Sequence, residues 1–399
     1  MRSPMSGDID RGAQRRRAAP ILQNAFRPFF LGGAVWAALL VPVWLAEFLG
    51  FPLPLARFGM SGHAHEMIFG FLSAIICGFA LTAIPNWTGR SPVAGWRLGL
   101  LFGLWALGRV ASLVLAGPVA TLLDVAFLLV LTAVVLREIG AGRNWRNLPV
   151  AGLIAGYALA HLAFHAFSAD PLAIRSSLAI ACTLIALIGG RIVPSFTRNW
   201  LAGRGDVAAT KVAPPMGVFD KAAIGVLIVA LSGWVLWPAH MLTGGLLVLA
   251  GLAHACRLLR WQGAATLSEP LMWSLHLGYA WLPLGLVLLG AGLVVPGYIA
   301  PGAGLHAIAA GLIGSMTLAV MTRASLGHTG RERRANVATF WIYGLVHLGA
   351  ALRVIAALLA NDPILLAAGA ILWSAAFMVF AVAYAPMMFG ARPAKVVAA

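Results

Sequence analysis

Apolar residues run on for about 20 positions at a time in this chain, and Pro, Gly and polar residues collect in the breaks between runs. A helix rises 1.5 Å per residue, so about 20 apolar residues cross the hydrocarbon core of a bilayer. Twelve such runs predict twelve transmembrane helices near residues 28–49, 62–84, 97–115, 119–139, 148–168, 172–194, 218–238, 241–260, 271–294, 301–321, 337–360 and 363–386. The predicted class is therefore all-α, a polytopic membrane protein.

Composition agrees. With 61% hydrophobic and 10% charged residues, and a mean hydropathy of +0.90, the chain is far more apolar than a soluble domain of its length. The formal net charge of +16 does not imply nucleic acid, because the Lys and Arg residues sit in short groups between apolar runs, as topology signals do. If the N-terminus is cytoplasmic, 24 of the 28 Lys and Arg residues fall in cytoplasmic segments, among them Arg15 to Arg17, Arg27, Arg257, Arg331 and Lys395. The outer loops hold only Arg57 and Arg175. An error of one helix would invert every later loop, so both termini are expected inside. Residues 1–27 form a basic N-terminal segment without the apolar core and cleavage site of a signal peptide. Residues 28–399 read as a single twelve-helix domain, in which the 195–217 loop joins two six-helix halves. Cys77, Cys182 and Cys256 stand singly in apolar runs, which excludes a thiolate zinc site, a disulfide framework and covalently attached c-type haem. The ends of helices 2, 6 and 10 read LTAIPNWTGR, GGRIVPSFTRNWLAGR and LAVMTRASLGHTGR. That echo every four helices hints at three four-helix arcs.

Ionisable groups inside these runs are where chemistry is sought, since each is costly in hydrocarbon unless paired, wet or metal-bound. GMSGHAHEMIFG puts His63, His65 and Glu66 at the mouth of the second helix; a plain polar helix start is the rival reading. His161 and His165 are four residues apart, hence on one helical face, where one helix can give two nitrogen ligands. His306 stands alone among small residues that permit close packing or leave room for a flat cofactor. These imidazoles are expected at one outer depth, as a metal or haem site would need. Arg109 and Arg353, inside helices 3 and 11, could neutralise haem propionates. Alternatively they pair with Glu47, Asp124 or a phosphate. Arg191 and His276 lie toward the inner side, the latter as a lower-ranked relay or metal position. Imidazole-rich sites suit copper or iron, not magnesium or calcium.

Five segments, FRPFFLGG, HAHEMIFGF, GGRIVPSFTRNWL, LHLGYAWLPLG and LAVMTRASLGHTGR, run in order over nearly the whole chain and resemble the signature segments of the NnrS family of bacterial membrane proteins. The resemblance implies an inner-membrane, twelve-helix protein associated with haem and copper, which acts on nitric oxide in nitrosative stress, often alongside denitrification. Carried over by residue, it favours His63, His65, Glu66, Arg191, His276, His306, Arg323 and His328. The six-histidine binuclear set of haem-copper oxidases and nitric oxide reductases is incomplete here, because helices 6 and 7 have no His and helix 10 only His306. Two rivals stay open at this level: a proton-coupled secondary transporter and a non-catalytic metal-binding scaffold.

Overall fold

A computed structural model of the protein describes residues 15, 17–51, 58–167 and 170–393. Arg16, Arg57 and Lys395 lie outside the described residues. Within them the protein is all-helical, and twelve helices are long and apolar enough to cross a membrane. They are α1 (Phe26–Phe48), α2 (Gly59–Thr88), α3 (Trp96–Val114), α4 (Pro118–Ala141), α5 (Trp145–Ala166), α6 (Pro171–Ala202), α7 (Val218–Leu236), α8 (Met241–Leu259), α9 (Pro270–Val294), α10 (Pro301–His328), α11 (Val337–Leu358) and α12 (Pro363–Phe389).

Each predicted run overlaps one of these helices, and α2, α6 and α10 run on furthest past it, by 4, 8 and 7 residues. The predicted ends of helices 2, 6 and 10 were set where hydropathy falls, at 84, 194 and 321; the helices stop at Thr88, Ala202 and His328. Hydropathy marks where lipid would end, not where backbone hydrogen bonding ends. In α6 the helix continues through Pro194, helped by the hydroxyls of Ser195 and Thr197, which donate to the carbonyls of Arg191 and Val193 at 2.7 and 2.9 Å. The echoing exits are thus helical, and the three helices that carry them are the longest of the twelve, at 30, 32 and 28 residues.

Two of these long helices change pitch. α2 is α-helical over Gly59–His65, π-helical over Glu66–Leu72 and α-helical again from Ser73. α10 does the same, with Ala307–Ile313 as its π segment. In both, the residue just before the π segment is a histidine, His65 or His306. A π turn leaves a carbonyl without its usual partner. Trp105 donates its indole N–H to Gly70 O at 3.0 Å beside the first, and Trp373 to Ala310 O at 3.1 Å beside the second.

The chain packs as two compact units. One contains residues up to Ile174 together with 323–333 and the chain from Phe380; the other contains 175–322 and 334–379. In the first, α1 lies on α2, α3 on α4 and α4 on both α2 and α5. In the second, α7 lies on α8, α8 on α9, and α10 on α9 and α11. α3 shows how such helices are built. Leu100, Leu107, Val110 and Val114 are exposed on one face, whereas Leu98, Leu101, Trp105 and Arg109 are buried on the other. Both faces are mostly apolar because the outer one meets acyl chains, so it is the charged residue that marks the inward face.

Candidate metal centre

Every group at the centre of the first unit comes from a different packing decision in α2 to α5. α2 starts at Gly59, whose N–H donates to Glu47 Oε2 at 2.8 Å, and its entry into the π segment puts His65 and Glu66 on the buried side. α3 can approach α4 closely at Gly108, where a Cβ would sit 2.9 Å from Leu123 O. That approach brings Arg109 against Asp124, which is 1% exposed. α5 presents His161 and His165 on one face, as their spacing predicted.

α2 and α5 bring three imidazoles to one carboxylate oxygen of α4. His65 Nε2, His161 Nε2 and His165 Nε2 lie 2.9, 3.3 and 2.8 Å from Asp124 Oδ2, and the Nε2 atoms of His65 and His161 are 3.2 Å apart. One donor atom from each of these four residues falls within 4.8 Å of all the others. Asp124 Oδ1 is taken by Arg109 Nη2. Glu66 is filled on all sides. Its Oε2 accepts from Arg109 Nη1 at 2.8 Å and Trp36 Nε1 at 2.9 Å, while its Oε1 faces Ser112 Oγ and His65 Nδ1, both at 2.8 Å. Gly70 leaves the space for this, since a Cβ there would sit 2.7 Å from Glu66 Oε2 and 3.1 Å from Arg109 Nη1.

As a hydrogen-bonded cluster the arrangement is oversubscribed. A carboxylate oxygen has two lone pairs, and Asp124 Oδ2 faces three imidazole nitrogens. His65 must carry its proton on Nδ1 to bond Glu66, so in the neutral ring Nε2 points a bare lone pair at the Asp124 anion 2.9 Å away. The charges agree. Glu66 and Asp124 outweigh Arg109 by one negative charge, so a further cation is called for, and burial makes its absence costly. A tetrahedral site with bonds of about 2.0–2.1 Å separates its donors by about 3.3 Å, close to the spacings found. The residues therefore fit a transition-metal ion, with the Glu66–His65 contact as the outer partner that such ligands commonly have. A cavity of about 220 Å³ lies beside the cluster, where α2 begins and α5 ends, lined among others by Ser61, Ser112, Thr121 and Phe164.

His65, His161 and His165 are thus brought together with Arg109 and Glu66. His63, two residues before His65, is half-buried with its ring 4.4 Å from that of Trp44. The sequence points to Asp124 only as a partner for Arg109. The signal for it was present: it is the lone acid in TLLDVAFLLVLTAVVL, where an unpaired carboxylate would be prohibitive.

The other predicted residues are placed as follows. His276, His306, Arg191 and Arg353 belong to the second unit, and His328 and Arg323 to the first. His306 Nδ1 meets Gly302 O at 2.8 Å, and Arg353 Nη1 reaches Asn361 Oδ1 at 3.4 Å. Arg191 is half-buried on α6. His276 Nε2 meets Thr197 Oγ1 at 2.9 Å. That hydroxyl donates to Val193 O, so the imidazole donates from Nε2 and leaves Nδ1 as an acceptor. Sequence reasoning missed a polar core in this unit. Arg257, counted above as a loop charge, is fully buried near the end of α8. It donates Nε to Asp220 Oδ1 at 2.6 Å, and Nη1 to Ala186 O and Tyr279 Oη at 2.8 and 2.9 Å; Tyr279 Oη also meets His254 Nδ1 at 2.7 Å.

Twelve apolar helices define a multi-pass membrane protein, and its buried imidazole and carboxylate cluster could hold a metal ion. The model of the NnrS family, described as NnrS protein, matches residues 20–392, and the chain belongs to that family. No curated protein matches it.

Proposed function

We propose that the protein is a membrane metalloprotein that binds a redox-active transition metal at His65, Asp124, His161 and His165, and through it handles nitric oxide or its metal-nitrosyl products in nitrosative stress and denitrification. The observation that carries this is the convergence of three Nε2 atoms on one oxygen that cannot accept from all three. The nitric oxide part comes from membership of the NnrS family. A copper or iron ion held there would supply one-electron chemistry to a diatomic ligand.

The chain's own groups have separable roles. Glu66 holds the proton on His65 Nδ1 and so keeps Nε2 free to coordinate. Arg109 bonds both carboxylates and fixes their relative position. His165, more exposed than the other three, stands at the cavity side of the cluster. Small neutral molecules would reach it there. With the Arg-rich segments facing the cytoplasm of a bacterial inner membrane, that mouth opens on the periplasmic side.

The expected haem does not fit this cavity. At about 220 Å³ it is smaller than pockets for drug-sized ligands, which run to roughly 300–1,000 Å³, and it takes an ion, a diatomic molecule and water. No step at this site is assigned to a haem.

The test is elemental analysis and electron paramagnetic resonance of protein purified after growth with copper and iron, before and after nitric oxide. Bound metal near one ion per chain at this site, with a signal that nitric oxide changes, is the expected result. Protein that folds, takes up neither metal from excess and is unchanged by nitric oxide refutes the reading. Glu66→Gln should weaken the metal by about 10–100-fold in a competition titration without abolishing it, the usual effect of losing an outer partner.

A further inference from the structure

Three separate segments of the chain meet at one end of the first unit, and all bring arginine. Arg27, at the start of α1, is 1% exposed and donates Nη1 to Met388 O and Gly390 O, both at 2.8 Å, which ties the end of α12 beside it. Arg392 follows directly and lies against Gly330, so closely that a Cβ there would come within 2.6 Å of its Nε. Gly330 can take this place because it has no side chain and adopts a φ of +77°. Arg331 and Arg333 follow it on the loop after α10, and the His328 ring is 5.7 Å from that of Phe26. Arg15 reaches in from the N-terminal side, held by Asn24 Oδ1 at 3.1 Å.

These guanidinium groups feel one another. Arg27 is within Coulombic reach of Arg331 and Arg15, Arg15 of Arg392, and His328 of Arg333, Arg15 and Arg392. Among the described residues none of the five arginines is within ion-pair distance of a carboxylate, although Glu332 stands between Arg331 and Arg333 in sequence. Arg331 Nη1 and Arg27 Nε are buried without a hydrogen-bond partner. A solvated topology signal would hold its charges apart in water. Here the fold crowds them and leaves donors unused.

We propose that this cluster is a binding site for a phosphate-bearing anion. Several guanidinium forks from different directions match a tetrahedral group with many acceptor oxygens, which each fork can engage at two points. The ends of α1, α10 and α12 are also at the level where lipid headgroups would lie. The shared chemistry is the phosphate, carried by an anionic phospholipid or by a soluble phosphate compound.

The full chain is placed in nanodiscs of phosphatidylcholine, with or without phosphatidylglycerol, and separately exposed to pyrophosphate. Wild type should gain several degrees in apparent Tm from at least one probe, and native mass spectrometry should show the retained species. Arg331→Gln/Arg392→Gln should lose most of the gain and at least five-fold of the occupancy, while Arg331→Lys/Arg392→Lys keeps part of both. A gain from phosphatidylglycerol alone assigns a lipid headgroup; a gain from pyrophosphate in phosphatidylcholine discs assigns a soluble phosphate. The exposed Arg333→Gln serves as the variant if the double change does not fold. The proposal is overturned if neither probe shifts wild type, if sodium chloride of equal ionic strength does as much, or if the Gln variants respond like wild type.

Discussion

His161→Ala is expected to weaken metal binding at the cluster about a hundredfold while α2 to α5 stay assembled. The imidazole is 1% exposed, stacked 4.2 Å from the Phe69 ring, and supplies one of four convergent donors. Buried four-ligand sites bind with apparent free energies of roughly 10–16 kcal/mol, so one donor is worth about 3 kcal/mol. That is on the order of a hundredfold in affinity. The substitution leaves Arg109 between Glu66 and Asp124, so the buried charges keep their partners and the fold is spared the larger cost. A metal competition titration on His161→Ala, with helicity and thermal unfolding as the check on the fold, reads this directly. Affinity equal to wild type would mean that the four groups form a hydrogen-bonded knot and nothing more.

Arg257→Ala should cost the second unit its stability. It leaves Asp220, 1% exposed, with only the half-exposed Arg260 Nη1 at 3.9 Å, and frees the carbonyl of Ala186 and the hydroxyl of Tyr279 together. Breaking a buried pair from one side costs about 3–5 kcal/mol. The apparent Tm in detergent should fall by on the order of 10 °C. Lys cannot substitute, because its single ammonium does not span Asp220, Ala186 and Tyr279. Asp220→Ala/Arg257→Met, which removes both charges, should recover a large part of the loss. Gly190→Ala should mimic Arg257→Ala, since a Cβ there would lie 1.9 Å from Arg257 Nη2. Arg257→Ala protein that melts with wild type would show that the pair contributes nothing.

Gly190 and Gly70 make a common point about the two units. Each is the missing side chain beside a buried arginine, Arg257 or Arg109. In a membrane helix a glycine is read as a packing notch, and here the notch is filled by charge. No spacing rule ties Gly190 on α6 to Arg257 on α8, or Gly70 on α2 to Arg109 on α3, because the pairing depends on which helix faces which.

Hydropathy alone set the class, the count of twelve and the helix positions, since each span must satisfy its own backbone and its apolar length is local information. The i, i+4 spacing likewise put His161 and His165 on one face before any packing was known. Tertiary packing decided the rest. It chose His65 over His63 by the way the first turns of α2 face the other helices, recruited Asp124 through the close approach at Gly108, and turned Arg257 and Arg27 from presumed loop charges into buried ties. The physical reason is that an ionisable group in a membrane helix announces only that it needs a partner. Which partner it finds is fixed by helix rotation and crossing, and those follow from contacts between residues scores of positions apart.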